Sequence, residues 1–225
     1  MEQWCFAPTA DPAFVAQMED VLAVYARPYD PAHPVVCLDE TSRQLLGETR
    51  DPLPVTMGQV AKHDPEYVRG GVAQLFLATE PLRGWRHVIV GARRTRLEFA
   101  ACVKELVDVQ YPEAARITLV MDQLNIHAIA SLYAAFPPAE ARRLAAKLEI
   151  HHTPKHGSWL NMAELELSVL ARQCLRQRLP DEAAMRAAVT AWAERRNASI
   201  QTIDWQFSTD DARIRLRRLY PAFDA

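Results

Sequence analysis

Two runs of apolar residues in this chain each end in an aspartate: VVCLD ends at Asp39 and TLVMD ends at Asp122. Short apolar runs of this kind are typical of strands that are buried in a sheet. A carboxylate at the end of such a strand lies at the carboxyl edge of the sheet, where open α/β folds bind their ligands. The two runs therefore predict an α/β fold with an acidic site at one edge of its sheet.

The other segments alternate between strand-like and helix-like patterns. After the first strand, GVAQLFLAT and HVIVGA flank a group of turn residues and predict an antiparallel meander. A helix, the strand that ends in Asp122, a helix broken near Pro137-Pro138, the short strand LEIHH and several further helices follow. This order predicts a mixed sheet, and 225 residues with 49% apolar side chains suffice for one large core.

The same patterns divide the chain into three parts. Asp11-Pro12 looks like an N-cap followed by proline at the first helical position, so residues 1–34 are expected to form a helix and a proline-rich connector. Residues 35–179 are expected to form the sheet and its covering helices. Residues 180–225 are expected to form a C-terminal helical extension that packs on the same domain.

Charge and cysteine content restrict the class of protein. The net charge is −2, but residues 170–220 contain ten arginines and six acids, which suits a solvated helix face and a phosphate-binding face equally well. The four cysteines lie far apart without a C-x-x-C pair, which favours a reduced cytosolic protein over a disulfide framework. No apolar stretch has the length of a membrane span, and the first residues lack a signal-peptide pattern. We therefore expect a protein that stays in the cytoplasm.

The two aspartates could share one site. Ionised carboxylates placed side by side repel each other, so the pair must share a proton or hold a cation, and oxygen ligands favour Mg²⁺ or Mn²⁺. A turn or cap residue after a strand is the alternative for each aspartate. Glu40 should point to the opposite face of the strand from Asp39, and we expect it to support the site rather than to form it.

A third carboxylate is expected from the stretch HHTPKHGSWLNMAELE. If a helix begins near Ser158, its core positions are Leu160, Ala163, Leu167, Leu170 and Cys174. Glu164 and Glu166 then lie on opposite flanks of that stripe, so helical spacing does not choose between them. The polar neighbours of Glu164, Asn161 and Ser168, make its flank the better place for a hydrated metal ion.

Three stretches, VVCLDET, LVMDQLNIH and HTPKHGSWLNMAELE, resemble in this order the carboxylate motifs of the DDE-superfamily transposases. The branch that they resemble is that of bacterial insertion sequences related to mariner elements, the insertion sequence 630 family. The resemblance extends through almost the whole chain, and SWLNMAE is its most specific part. It implies an RNase H-like catalytic domain over residues 35–179, with a mixed five-stranded sheet and helices on both faces. It also implies that Asp39, Asp122 and Glu164 are the catalytic residues and the metal ligands, and that Glu166 is not.

The resemblance further implies a reaction and its partners. Two Mg²⁺ ions, for which Mn²⁺ can substitute, would activate the attacking water or 3′-hydroxyl and stabilise the leaving oxygen at phosphorus. The DNA partners would be the inverted-repeat ends of the element and a target site, typically TA, and the active form would be a homodimer in the bacterial cytoplasm, on the nucleoid. Two alternatives stay open: an RNase H-like nuclease or resolvase without strand transfer, and an inactive transposase remnant.

The chain departs from the family pattern in three ways. Gln123 and Ile126 replace the asparagine and threonine that usually follow the second aspartate, and we expect at most weaker support of the site. The 41 residues between Asp122 and Glu164 exceed the spacing of the mariner branch, which fits a helical insertion. The segment before Asp11 is too short for the family's helix-turn-helix region, so we expect a separate N-terminal partner for end recognition.

Several polar residues near the motifs are expected to support the site or to contact DNA: Glu40, Asn125, His127, Lys155, His156 and Asn161. The histidines of HHTPKH have a spacing that could suggest zinc. Pro154 and Gly157 disfavour the continuous helix that such a zinc site would require.

Overall fold

The structure, a computed structural model, describes residues 10–51, 57 and 64–222. Helix α1 spans Pro12–Tyr25, and Asp11 caps it by accepting a hydrogen bond of 3.0 Å from the backbone N–H of Phe14. This start at Asp11-Pro12 is the one predicted from the sequence. Cys5, the first of the four cysteines, lies outside the described residues.

Five strands form one mixed sheet in the order β3-β2-β1-β4-β5. β2 pairs antiparallel with both β1 and β3, while β4 pairs parallel with both β1 and β5. The predicted α/β class and the predicted meander are therefore confirmed. The strands are β1 Val35–Glu48, β2 Tyr67–Glu80, β3 Trp85–Gly91, β4 Ile117–Met121 and β5 Leu148–His152.

The prediction that the first strand ends at Asp39 is wrong. β1 continues to Glu48, because β2 pairs with it from Cys37 onward along its polar second half. Its parallel pairing with β4 covers only Val35 to Cys37. Asp39 therefore lies within a long strand but just beyond its parallel segment, so it still reaches the sheet edge at which β4 ends.

In the described part of the chain, six further helices connect and cover the strands. α2 begins with a capping box at Thr95 and runs directly into one π-helical segment, Leu106–Gln110. The predicted break near Pro137-Pro138 separates α3 from α4. The helices are α2 Arg96–Glu105, α3 Ile129–Ala135, α4 Pro138–Ala146, α5 Met162–Gln173, α6 Glu182–Ala198 and α7 Thr209–Arg215.

The predicted helix start at Ser158 is also wrong. Residues Ser158–Leu160 form a single 3-10 turn, and the α-helix begins at Met162 with Asn161 as its N-cap. Asn161 has an extended backbone, and its side chain accepts a hydrogen bond from the N–H of Ala163. Glu164 therefore lies in the first turn of α5, close to the capping residue Asn161.

Each face of the sheet is covered by its own apolar core. One core includes residues of α1, α5 and α6, and the other includes residues of α2, α3 and α4. Met185, Val189 and Trp192 of α6 are buried in the first core together with Met18 and Val21 of α1. Helices thus cover both faces, and α6 shares a core with the N-terminal helix; the division at residues 34 and 179 stays a prediction.

The end of α6 is bound to the edge strand β3. The Asn197 side chain accepts a hydrogen bond of 2.9 Å from the backbone N–H of Arg86 and donates one of 2.8 Å to its carbonyl oxygen. One amide side chain therefore occupies both backbone groups of Arg86, as a neighbouring strand would.

Among the described helices, none is long and apolar enough to cross a membrane. The described cysteines, Cys37, Cys102 and Cys174, are all free and buried.

Candidate active site

The structure brings the three predicted carboxylates, Asp39, Asp122 and Glu164, to one edge of the sheet. Asp39 projects from β1, Asp122 directly follows β4, and Glu164 lies in the first turn of α5. The negative charges of Glu164 and Asp122 both act on the Asp39 carboxyl. The residues are far apart in the sequence, so the parallel pairing of β1 with β4 and the position of α5 together create this cluster.

Burial, above all, raises the pKa of Asp39 to about 7. A hydrogen bond of 2.8 Å from the N–H of Glu40 to Asp39 Oδ1 opposes this effect, while the charges of Glu164, Glu40 and Asp122 add to it. A carboxyl in this position gives up its proton reluctantly unless positive charge approaches. The electrostatics therefore favour a cation beside Asp39.

The pKa of Asp122 is instead lowered. Burial alone would raise it, but a hydrogen bond with the His127 ring, one from the N–H of Leu124 and the nearby His152 outweigh that effect. The distances are 2.7 Å from Asp122 Oδ1 to His127 Nδ1 and 3.0 Å to the nitrogen of Leu124. Asp122 is therefore held ionised and oriented before any ligand arrives.

His127 lies buried between two carboxylates. Its Nδ1 faces Asp122, and its Nε2 lies 3.1 Å from Oε1 of Glu40, an ion-pair contact without well-directed hydrogen-bond geometry. Burial lowers the pKa of the ring, but the two carboxylates outweigh burial and raise it to about 9. The ring has no access to solvent and cannot contact DNA phosphate, so of its two expected roles only support of the site remains.

Glu164 and Glu166 differ sharply in environment. Glu164 is exposed at the cluster, whereas the Glu166 side chain is only 3% exposed. Oε1 of Glu166 lies 3.1 Å from Arg86 and 2.9 Å from Arg196, so it forms a buried ion pair with both guanidinium groups. Helical spacing could not separate the two glutamates, and tertiary contacts do.

Lys155, His156 and Asn125 lie on the wall of a cavity of about 380 Å³. Asp122 also lines this cavity, which the loops after β4 and β5 enclose. Lys155, His156 and Asn125 are exposed. The cavity therefore offers a cationic and polar wall next to a carboxylate.

The loop of residues 153–158 has a constrained backbone. His156 has a left-handed conformation with φ of 65°, and a Cβ at Gly157 would lie 2.6 Å from Cγ of Pro154. Only glycine fits at position 157 without a shift of the loop. The constrained backbone of this loop thus fixes the part of the cavity wall that carries Lys155.

No role at the site was predicted for His152, and Gln123 was expected to give at most weaker support than the usual asparagine. Nδ1 of His152 contacts the carbonyl oxygen of Asp122 at 3.0 Å, and Gln123 donates to Gln17 of α1 at 2.8 Å and to the carbonyl oxygen of Thr153 at 3.2 Å. Gln123 therefore ties the two loops together with the amide that it retains. The position of His152 at the end of β5 is the only signal that could have indicated its role.

The chemistry of the donors suits a hard divalent cation, because all three carboxylates supply oxygen. Within the described residues, no group of three or more His, Cys, Asp or Glu side chains is already arranged at metal-binding distances. The charges of the other carboxylates act on a mostly buried Asp39, and a divalent cation would offset that repulsion. The residues therefore fit divalent metal ions in their chemistry.

A five-stranded mixed sheet with carboxylates on β1, after β4 and on the helix after β5 defines an RNase H-like α/β domain. Residues 34–186 match the family described as DDE superfamily endonuclease, and the chain belongs to this family. The resemblance drawn from the three motifs is thereby confirmed. No curated protein matches the chain significantly.

Solved structures of the Mos1 mariner transposase have a similar fold. The paired-end complex with Mn has a TM-score of 0.55 at 14% identity, over 89% of this chain and 63% of that chain. The paired-end complex with Mg has a TM-score of 0.55 at 15% identity, over 99% and 67%. The isolated Mos1 catalytic domain has a TM-score of 0.54 at 12% identity, over 84% and 86%. The chain thus spans about two thirds of the Mos1 chain in the complexes and most of its catalytic domain.

Proposed function

We propose that this chain is the catalytic domain of a DDE transposase, which cleaves DNA strands at transposon ends and transfers them to target DNA. The observation that carries the proposal is the convergence of Asp39, Asp122 and Glu164 at one edge of an RNase H-like sheet, in a member of the DDE endonuclease family. These three residues are proposed as the catalytic carboxylates.

We propose that the same three residues hold two Mg²⁺ ions, for which Mn²⁺ can substitute. When bound, such ions activate the nucleophile and stabilise the leaving oxygen in an in-line displacement at phosphorus. The high pKa of Asp39 and the complexes of Mos1 with Mn and with Mg support this assignment.

The protein's own residues prepare the site in distinct ways. His127 orients Asp122 and keeps it ionised, while Glu40 holds the other side of the ring. Lys155 and His156, on the cavity wall, are placed to contact phosphate of the bound strand, and Asn125 to donate hydrogen bonds to it.

DNA is the proposed partner, both as the inverted-repeat ends of the element and as a target site, with TA the expected dinucleotide. The similar Mos1 structures include a paired-end complex and a strand transfer complex. By analogy, the active form is proposed to be a homodimer, and a helix-turn-helix region is proposed to recognise the transposon ends. We place the reaction in the bacterial cytoplasm, on the nucleoid.

The test is incubation of the protein with a labelled DNA end, a supercoiled target plasmid and Mg²⁺ or Mn²⁺. We expect nicking at the end and joined products, both lost by at least about 100-fold in Asp39→Asn and Glu164→Gln because each removes a ligand charge. Glu194→Gln, an exposed glutamate of α6, is the matched control and should retain activity.

Each outcome has a defined meaning. Undiminished cleavage in either site variant would reject the assigned carboxylates. Cleavage without joined products would favour an RNase H-like nuclease. No cleavage by a folded wild-type protein, even with an end-binding helix-turn-helix protein supplied, would favour an inactive remnant.

A further inference from the structure

We propose that Asn161 is a positioning residue that sets the separation between Asp39 and Glu164. Its side chain binds the strand that carries Asp39 and the helix that carries Glu164. The inference rests on the function proposed above, because this separation matters for catalysis only if the two carboxylates act together.

Two hydrogen bonds carry the inference. Asn161 Nδ2 donates to the carbonyl oxygen of Leu38 at 2.9 Å, and Asn161 Oδ1 accepts from the backbone N–H of Ala163 at 3.1 Å. Leu38 directly precedes Asp39, and Ala163 directly precedes Glu164. A single amide therefore joins the two backbone positions next to the two carboxylates.

Burial makes this connection rigid. Asn161 is 1% exposed and Leu38 is fully buried, so water does not compete for the bond between them. The two partners also fix the orientation of the amide, since the N–H of Ala163 needs an acceptor and the Leu38 carbonyl needs a donor. Loss of the amide would leave the Leu38 carbonyl without this donor in a buried environment, which is costly.

The residue before Asn161 is held as well. The hydroxyl of Tyr25, at the end of α1, donates to the carbonyl oxygen of Leu160 at 2.6 Å. The entry into α5 is thus fixed by α1 on one side and by β1 on the other. Glu164 follows only one turn later, with its N–H donating to the carbonyl oxygen of Asn161 at 3.0 Å, so movement of Asn161 would move Glu164.

A role in helix capping alone does not require asparagine. Serine caps helices about as well as asparagine does, but its hydroxyl is too short to keep the bond with Ala163 and also reach Leu38. Asn161→Ser therefore retains capping and removes the connection to β1, whereas Asn161→Ala removes both. The difference between these two functions can be measured.

The experiment compares wild type, Asn161→Ser, Asn161→Ala and the control Asp181→Ala, which removes the N-cap of α6. Mn²⁺ affinity is measured without DNA by electron paramagnetic resonance, and kcat for end cleavage is measured at saturating metal. In addition, exchange of the Asn161 side-chain amide protons is followed by NMR in metal-free wild type, where the buried bonds should make it slow.

We expect Mn²⁺ affinity to fall about 10- to 100-fold in both Asn161 variants, as is typical when support of a metal ligand is lost. Asp181→Ala should lose stability but keep its Mn²⁺ affinity. Wild-type affinity in Asn161→Ser would overturn the inference and leave capping as the role. If that variant does not fold, fast amide exchange in wild type would overturn it instead. Failure of wild type to cleave DNA would count against the proposed function, while the NMR and Mn²⁺ results would still decide the role of Asn161.

Discussion

At the scale of the residue, two glutamates of α5 that are only two positions apart have opposite environments. Glu164 is exposed at the carboxylate cluster, and Glu166 is buried against Arg86 and Arg196. A buried charge that loses its partner is strongly destabilising, whereas an exposed charge is not. Residue type and helical spacing alone therefore do not separate the roles of these two glutamates, whereas their neighbours do.

Glu166→Gln is expected to lower the free energy of unfolding by about 3–5 kcal/mol, because it leaves the fully buried Arg86 guanidinium without its counter-charge. Glu164→Gln is expected to leave stability nearly unchanged and to lose activity. Urea unfolding of both metal-free variants measures the difference. Equal stability of the two variants would contradict this assignment of structural and catalytic roles.

His127 predicts a pH dependence of stability in the metal-free protein. The folded protein raises the pKa of this ring from 6.5 to about 9, because the carboxylates of Asp122 and Glu40 outweigh the effect of burial. The folded state therefore holds the proton more tightly than the unfolded chain. The resulting stabilisation is complete below pH 6.5 and is lost as the pH rises through about 9.

Urea unfolding at intervals between pH 7 and pH 9.5 should thus show stability falling in wild type. His127→Gln should be less stable at pH 7 and should show a flatter profile, because it has no ring to titrate. Parallel profiles for the two proteins would show that His127 does not cause the pH dependence.

At the scale of the element, local sequence patterns predicted which helices and strands exist better than they predicted where these elements begin and end. α1 starts where the Asp11-Pro12 pattern places it, because an N-cap and a proline act within one turn. β1 runs nine residues past Asp39, because its polar second half is held by pairing with β2, a long-range contact that apolar patterning does not report. Likewise, Ser158 and Asn161 are both residue types that cap helices well. The cap of α5 is Asn161, which also forms a hydrogen bond with Leu38 of β1.

At the candidate site, too, local patterns in the sequence predicted some features, and contacts between distant segments determine the others. The three motif carboxylates and the polar flank of Glu164 were predicted from the sequence, and the structure brings all three together, although their catalytic role remains a proposal. The contact of Glu40 with His127 could not be derived, because it depends on the packing of β1 against the loop after β4. Polar contacts between distant segments have no periodic signature in a sequence.

At the scale of the whole molecule, the C-terminal helices are part of the core. Removal of residues 180–225 would expose the core around Met18 and Val21 and remove Arg196 from Glu166. We expect a chain of residues 1–179 to lose cooperative unfolding, as measured by circular dichroism in urea, and to regain it when residues 180–225 are supplied on a second chain. Cooperative unfolding of residues 1–179 alone would show that the extension is dispensable for folding.

The amide of Asn197 on Arg86 has a further consequence for behaviour in solution. A free edge strand exposes backbone donors and acceptors to which a strand of another molecule can add, and such pairing is a common route to aggregation. Here the N–H and the carbonyl of Arg86 are both occupied within the same chain, and α6 packs along β3. A strand of another molecule therefore cannot pair with β3 at this point. The protection comes from the Asn197 side chain and not from a charged or bulged edge strand.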